Sequence, residues 1–431
     1  DGGRPARRGR RGAALATRLR STPGRLSSML VGLLLLGALA GILTVVGVQQ
    51  RAGKVDQVRD QSGPLTVSAQ QLYRSLSDAD ATAAAAFLSS GAEPPQLRTR
   101  YEQDIAAATA ALTAADAGRG TDQASVAQIA QALPVYTGLV ETARTNNRLD
   151  LPVGAAYLRE ASNLMRARLL PAAQRLYQEE TAALDADRSG ADGFPWAAVP
   201  LVLLTLAGLA LTQRYLTRRT KRLFNIGLVV GTAAGLAILI WLLASFAGVS
   251  GHLGAGRRDG SAQSQTLVSA RTAALQARAD EALTLVAHGN GAAFEDDFKA
   301  SMTRLVGSDG KGGLLATARA DATDPAVSRA VATATDNATA WRTAHANLRR
   351  LDDGGQFPQA VQLALGGTAT NFTQLDTALA QAIASTSATF DRQAGQAAGA
   401  LSGAGIGTGI LTVLLLVGVA VGLQQRIAEY R

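Results

Sequence analysis

The 431 residues are 47% hydrophobic but only 4% aromatic, contain no cysteine, and carry a formal net charge of +9. Without a thiol the chain has no disulfide, thiolate metal site, cysteine nucleophile or lipidated cysteine. The basic charge suggests nucleic acid as a partner, but its distribution excludes one. Residues 1–26 hold eight arginines against Asp1, and residues 213–222 hold five bases and no acid. Residues 424–431 hold Arg426 and Arg431 against Glu429, whereas 49–194 and 249–400 each hold more acids than bases.

In chain order, the basic tail 1–26 leads into an apolar run at 27–48, and three further runs fall at 195–212, 223–248 and 401–423. Each is close to the ~20 residues a helix needs to cross hydrocarbon. None contains a charge, which would be costly there. Ala38-Leu39-Ala40 resembles a signal-peptide cleavage site, but apolar residues continue to Val48, which favours an uncleaved span. Basic residues flank the cytoplasmic side of spans. The tails 1–26 and 424–431 and the loop 213–222 therefore lie inside, and the segments 49–194 and 249–400 lie outside. The expectation is a multi-pass plasma-membrane protein with both termini in the cytoplasm.

Both outward segments carry helical patterns. In the first, Val55, Val58, Ser62, Leu65, Ala69, Leu72, Leu76, Ala79 and Ala83 recur at spacings of three and four. Gly91 and Pro94-Pro95 end this helix. A second helix is expected over 96–117, a third over 122–146, and a fourth from Pro152, a favoured first helical residue. The second segment repeats the plan, with breaks near Gly289–Gly291, Lys311–Gly313 and Asp352–Pro358. A shift of about 200 aligns Asp80 with Asp280 and Gly91 with Gly291, which favours an internal duplication. The fold class is therefore all-α: four transmembrane helices with two tandem extracytoplasmic four-helix-bundle domains. The first-to-second and third-to-fourth turns then fall at the membrane-distal tips.

No catalytic or cofactor pattern appears: no His-Glu-x-x-His, no phosphate loop ending in Gly-Lys-Ser/Thr, no Gly-x-Ser-x-Gly. The chain is not expected to be an enzyme or to hold a cofactor. His252, His288 and His345 are scattered, and His288 near Glu295, Asp296 and Asp297 reads as a turn beside an acidic helix start rather than a metal site. Gly227, Gly231 and Gly235 recur every four residues, as do Gly405 and Gly409, with further pairs at Gly37/Gly41 and Gly418/Gly422. Such faces let spans pack closely or form homo-oligomers; glycine simply tolerated in lipid is the alternative. Charged groups are absent from the spans, which weighs against a carrier or channel.

Two polar groups remain. Arg144, Asn146, Asn147, Arg148, Asp150 and Arg159 cluster at the first tip, either as solvated helix caps or as a docking site for an acidic ligand or partner. Arg214, Arg218, Arg219, Lys221 and Arg222 form the inner loop, either fixing orientation or attracting an acidic cytosolic surface.

The run Arg148-Leu149-Asp150-Leu151-Pro152-Val153-Gly154-Ala155-Ala156-Tyr157-Leu158-Arg159-Glu160-Ala161-Ser162, followed by Leu169-Leu170-Pro171-Ala172-Ala173, resembles actinobacterial membrane proteins of the GlnX type. The resemblance implies four spans, two outward helical domains, and a relay. In that relay a periplasmic-binding-type lipoprotein takes aspartate or glutamate, and the membrane protein passes its state to the cytosolic serine/threonine kinase PknG. The motif covers only the fourth helix of the first domain, and it carries over no binding residues. Independently of it, large outward bundles and short cytoplasmic pieces indicate a receptor whose output passes to a separate protein. The rivals are a receptor binding a small ligand directly in its bundles and a non-catalytic subunit of a transport complex.

Overall fold

The computed structural model describes residues 22–89, 93–118, 123–192, 196–220, 225–255, 263–287, 289–401 and 403–428. Among these residues every regular element is a helix. Four helical stretches are long and apolar enough to cross a membrane: Leu26–Phe87, Ala198–Arg218, Ile226–Gly248 and Phe357–Ala428. Most of the N-terminal tail, Gly91, His288, Lys221 and Arg222 lie outside the described residues.

The chain divides into two compact units. The first gathers the spans: α1 (Thr22–Gln57), α7 (Ala198–Thr220), α8 (Ile226–Ala255) and α15 (Ala404–Ala428). Leu33, Val202, Leu209, Leu228, Ile238, Leu415 and Val419 form its core. Val31, Leu35, Ile42, Leu204, Leu211, Ile240 and Val413 are exposed, as residues facing lipid would be. Here α8 and α15 meet backbone to backbone. A Cβ on Gly227 would lie 2.6 Å from the carbonyl oxygen of Gly418, and one on Gly418 would lie 3.0 Å from the amide nitrogen of Gly231. Gly235 meets side chains, Leu206 of α7 and Leu415 of α15. Of the α15 glycines, Gly418 and Gly422 meet the α8 backbone, and a Cβ on Gly407 would run into the Trp241 ring of α8. Gly409 has no neighbour within 4 Å and Gly405 only Gln49 at 3.9 Å, because both sit on a different face of α15.

The second unit holds both of the segments expected outside, 49–194 and 249–400, over most of their length. The first contributes α2 (Gly63–Phe87), α3 (Pro95–Gly118), α4 (Gln123–Arg148), α5 (Val153–Leu164) and α6 (Leu170–Asp192). One wide π turn, Val58–Ser62, joins α1 to α2, and another, Met165–Leu169, joins α5 to α6. Ala69, Leu72, Leu76, Ala79 and Ala83 of the expected seam are buried against Ala108, Leu112, Ile129, Tyr136, Leu158 and Leu169. Side chains fix the direction of the bundle. Gln61 Nε2 donates to the Gly118 carbonyl at 3.2 Å at one end, and Asn147 Nδ2 donates to the Phe87 carbonyl at 3.1 Å at the other. The α2–α3 and α4–α5 turns therefore share an end.

The second segment contributes α9 (Gln263–Val286), α10 (Ala292–Val306), α11 (Gly313–Ala320), α12 (Pro325–Asp353), α13 (Phe357–Leu363) and α14 (Ala369–Leu401), with a π turn at Ala364–Thr368 between the last two. The short α11 departs from the expected four-helix plan. Gly307, Gly310 and Gly313 all have positive φ, so the chain turns sharply after α10 before α11 begins. Asp324 then starts α12 by accepting from the Ala326 amide at 2.8 Å, with Pro325 at the first helical position.

The two bundles are not separate bodies. Every residue of α2 from Ser75 to Ala86 and every residue of α9 from Ala277 to Val286 is buried. A helix buried on all sides lies inside a core. Alanine-rich α2 and α9 pack against each other and form one core from both segments.

Candidate functional site

The residues of the expected tip cluster separate into two kinds. Arg144 is buried: its Nη2 lies 3.0 Å from Glu93, its Nη1 donates to Glu141 at 2.6 Å, and its guanidinium stands 4.2 Å over the Tyr101 ring. Asn146 donates to the Thr142 carbonyl at 2.8 Å, and Asn147 ties the α4–α5 turn to the end of α2. Arg144 and Asn147 hold the bundle end together, whereas the Asn146 side chain bonds within α4. Arg148 and Asp150 are exposed, and Arg159 is half-buried.

Around Arg148 and Asp150, Leu149, Leu151, Val153 and Tyr157 are 65%, 45%, 47% and 37% exposed. The turn explains why. Asp150 takes φ 54°, a left-handed conformation that aspartate tolerates better than most residues. The Gly154 amide then bonds to the Leu151 carbonyl at 3.0 Å as α5 starts. Leucines are thereby carried out of the core on a tight, ordered turn. Clustered exposed apolar side chains rimmed by charge are the chemistry of a protein-docking surface.

The packed faces of α2 and α9 carry a second set of functional groups. Arg166, in the π turn after α5, lies 2.5 Å from Asp280 of α9 and 3.4 Å from Asp297 of α10. Asp80 accepts from Ser162 at 2.9 Å and from Tyr136 at 3.4 Å. The residues aligned in sequence, Asp80 and Asp280, thus face the same arginine. Burial pushes the Asp280 carboxyl up to about 6 against the pull of Arg166, and burial also raises Asp80. A parallel network joins Arg100 to Asp78 at 2.7 Å and Arg271 to Asp376 at 2.5 Å, with Arg100 3.9 Å from Asp376. Beside it Asp104 is pushed up to about 7, by burial first and by Asp78 second. Neither Arg166 nor this coupling of acids was apparent from sequence. The signal available was weak: charged residues inside an alanine-rich helical run.

Of the bases expected in an inner loop, Arg214 and Arg218 are exposed one turn apart on α7, at the edge of a groove lined by Val229, Ala233 and Leu236 of α8. The side chain of Arg219, and Lys221 and Arg222, lie outside the described residues. No group of three His, Asp or Glu among the described residues is placed to hold a metal.

No curated protein and no solved structure matches the chain at a significant level. Residues 54–189, which cover the first bundle and its exposed turn, match the family described as the actinobacterial sensor domain, and this match supports a sensing role for the chain.

Proposed function

We propose that the chain is a transmembrane sensor that relays the state of an extracytoplasmic aspartate- or glutamate-binding lipoprotein to a cytosolic serine/threonine kinase. The observation that carries this reading is the ordered, exposed stretch at 148–157, where Leu149, Leu151, Val153 and Tyr157 stand in solvent beside Arg148 and Asp150. It lies inside the segment that matches a sensor domain. The identity of both partners follows from the resemblance of this same turn to the GlnX-type proteins. The relay has a physical route, since the backbone stays helical from Leu26 to Phe87. Joint burial of α2 and α9 lets a change in either segment be felt by the other. Duplication of one ancestral half accounts for Asp80 and Asp280 meeting at Arg166, and for the π turns recurring about 200 positions apart. On the inner side, Arg214 and Arg218 offer an acidic cytosolic partner two exposed cations.

Charge reversal tests the docking reading. Arg148→Glu is expected to weaken binding of the lipoprotein by at least about tenfold. Unfolding stability should stay within about 0.5 kcal/mol of the parent, as for surface changes generally. Unchanged affinity in the folded variant overturns this surface as the docking site.

A further inference from the structure

The second bundle contains a cavity of about 670 Å³ between α10 and α12, within the size range that takes small organic ligands. It exists because Ala346 separates Arg342 and Arg349. These three residues share one face of α12, and the alanine methyl leaves space between two long cations. Phe298 and Met302, one turn apart on α10, form the apolar floor, with Lys299 beside them. The rim is the glycine turn after α10, where Gly307 has φ 75°. Arg342 Nη1 donates to the Gly307 and Ser308 carbonyls at 3.3 Å each, which holds the guanidinium at the mouth.

Electrostatics separate the cations lining this space. Arg349 already pairs with Asp352 and with Asp353, and its Nε lies 3.5 Å from Glu295. Lys299 lies 3.3 Å from Glu295. Arg342 meets only carbonyl oxygens, and no carboxylate among the described residues pairs with it. His345 forms the inner wall, stacked 3.6 Å from Phe298, with Nδ1 2.9 Å from Glu281 and Nε2 2.9 Å from Glu295. Burial opposes a charge on His345, but hydrogen bonds to the two carboxylates outweigh it and raise the imidazole above its ordinary value. Lys299, Arg349 and His345 are thus matched by Glu295, Asp296, Asp352, Asp353 and Glu281, which leaves Arg342 as the lining cation with no carboxylate partner among the described residues.

We propose that this cavity binds a small carboxylate, with the anionic group on Arg342 and the apolar body on Phe298 and Met302. The inference stands apart from partner docking at the α4–α5 turn. It has its own route to the rest of the unit. Glu281, hydrogen-bonded to His345, also accepts from Trp341 Nε1 at 2.8 Å and from Thr368 Oγ1 at 2.7 Å. Glu281 belongs to α9, the helix packed on α2. A ligand that draws Lys299 or Arg349 away from Glu295 alters that chain.

Titration calorimetry on the detergent-solubilised full-length protein, with no partner present, tests the proposal. The probes are benzoate, glutarate and inorganic phosphate. Benzoate or glutarate is expected to bind at one per chain, with phosphate weaker by at least about tenfold. Arg342→Gln should weaken that binding by at least about tenfold. Ala346→Phe, which fills the space and removes no charge, should abolish it. The proposal is overturned if neither carboxylate binds at millimolar concentration, if phosphate binds as well as they do, or if both folded variants bind like the parent. Since no lipoprotein is present, these outcomes are independent of the Arg148→Glu result.

Discussion

Arg144 and Arg148 look alike in the sequence, four residues apart in one polar run, yet they do different work. Arg144 is buried with Glu93, Glu141 and Tyr101 around it, so its loss strands a partly buried carboxylate. Arg144→Ala is expected to cost about 2–3 kcal/mol in urea unfolding, against almost nothing for Arg148→Glu. Equal and negligible effects would remove the structural role given to Arg144. Periodicity could not make this distinction, because it reports which face of a helix a residue occupies and not what covers the helix end. The same limit hid His345. Its partners Glu281 and Glu295 are 64 and 50 positions away, and only the packing of α9, α10 and α12 brings them together. Leu72, by contrast, was readable from its seam spacing and is fully buried.

Helix boundaries in the first segment followed local chemistry closely. The expected second and third helices, 96–117 and 122–146, are observed as Pro95–Gly118 and Gln123–Arg148. The all-round burial of α2 and α9 was not readable. Alanine runs such as Ala83–Ala86 show that something approaches closely but not what approaches. That packing has a pH signature. Asp104 and Asp280, pushed to about 7 and about 6 by burial, take up protons on folding, and buried Asp78 and Asp80 are raised as well. Their contribution is fully present at acid pH, below the unfolded carboxylate value, and is lost as pH rises through 6–7. The contribution of His345, raised by Glu281 and Glu295 against burial, is lost in the same direction, as pH rises above the ordinary imidazole value. Glu281 and Glu295 are held low, despite burial, chiefly by hydrogen bonds to His345, so their contribution is lost only on acidification below the ordinary carboxylate range. The melting temperature is therefore expected to fall between pH 5 and pH 8, and Asp104→Asn should flatten the fall. A melting temperature that climbs steadily over that window would contradict the assignment.

The division into spans and outward segments was the part of the architecture most open to sequence reasoning, because charge-free runs near 20 residues have few other uses in a chain. Orientation rests on where the arginines lie. Cysteines placed at Leu149 and Asn290 should react with a membrane-impermeant thiol reagent on intact cells, and one at Thr217 should react only after lysis. Labelling of Thr217 on intact cells would invert the topology. What the sequence could not convey is that both outward segments share one core, since the contacts joining them, such as Arg166 with Asp280, link residues over a hundred positions apart. The proposed relay requires a partner on the exposed turn. A photo-crosslinking residue at Leu149 in intact cells tests that most directly. The account predicts a cross-link to an extracytoplasmic solute-binding lipoprotein whose yield changes when aspartate or glutamate is added. Efficient activation of the probe with no such product, or a yield indifferent to both amino acids, would contradict it.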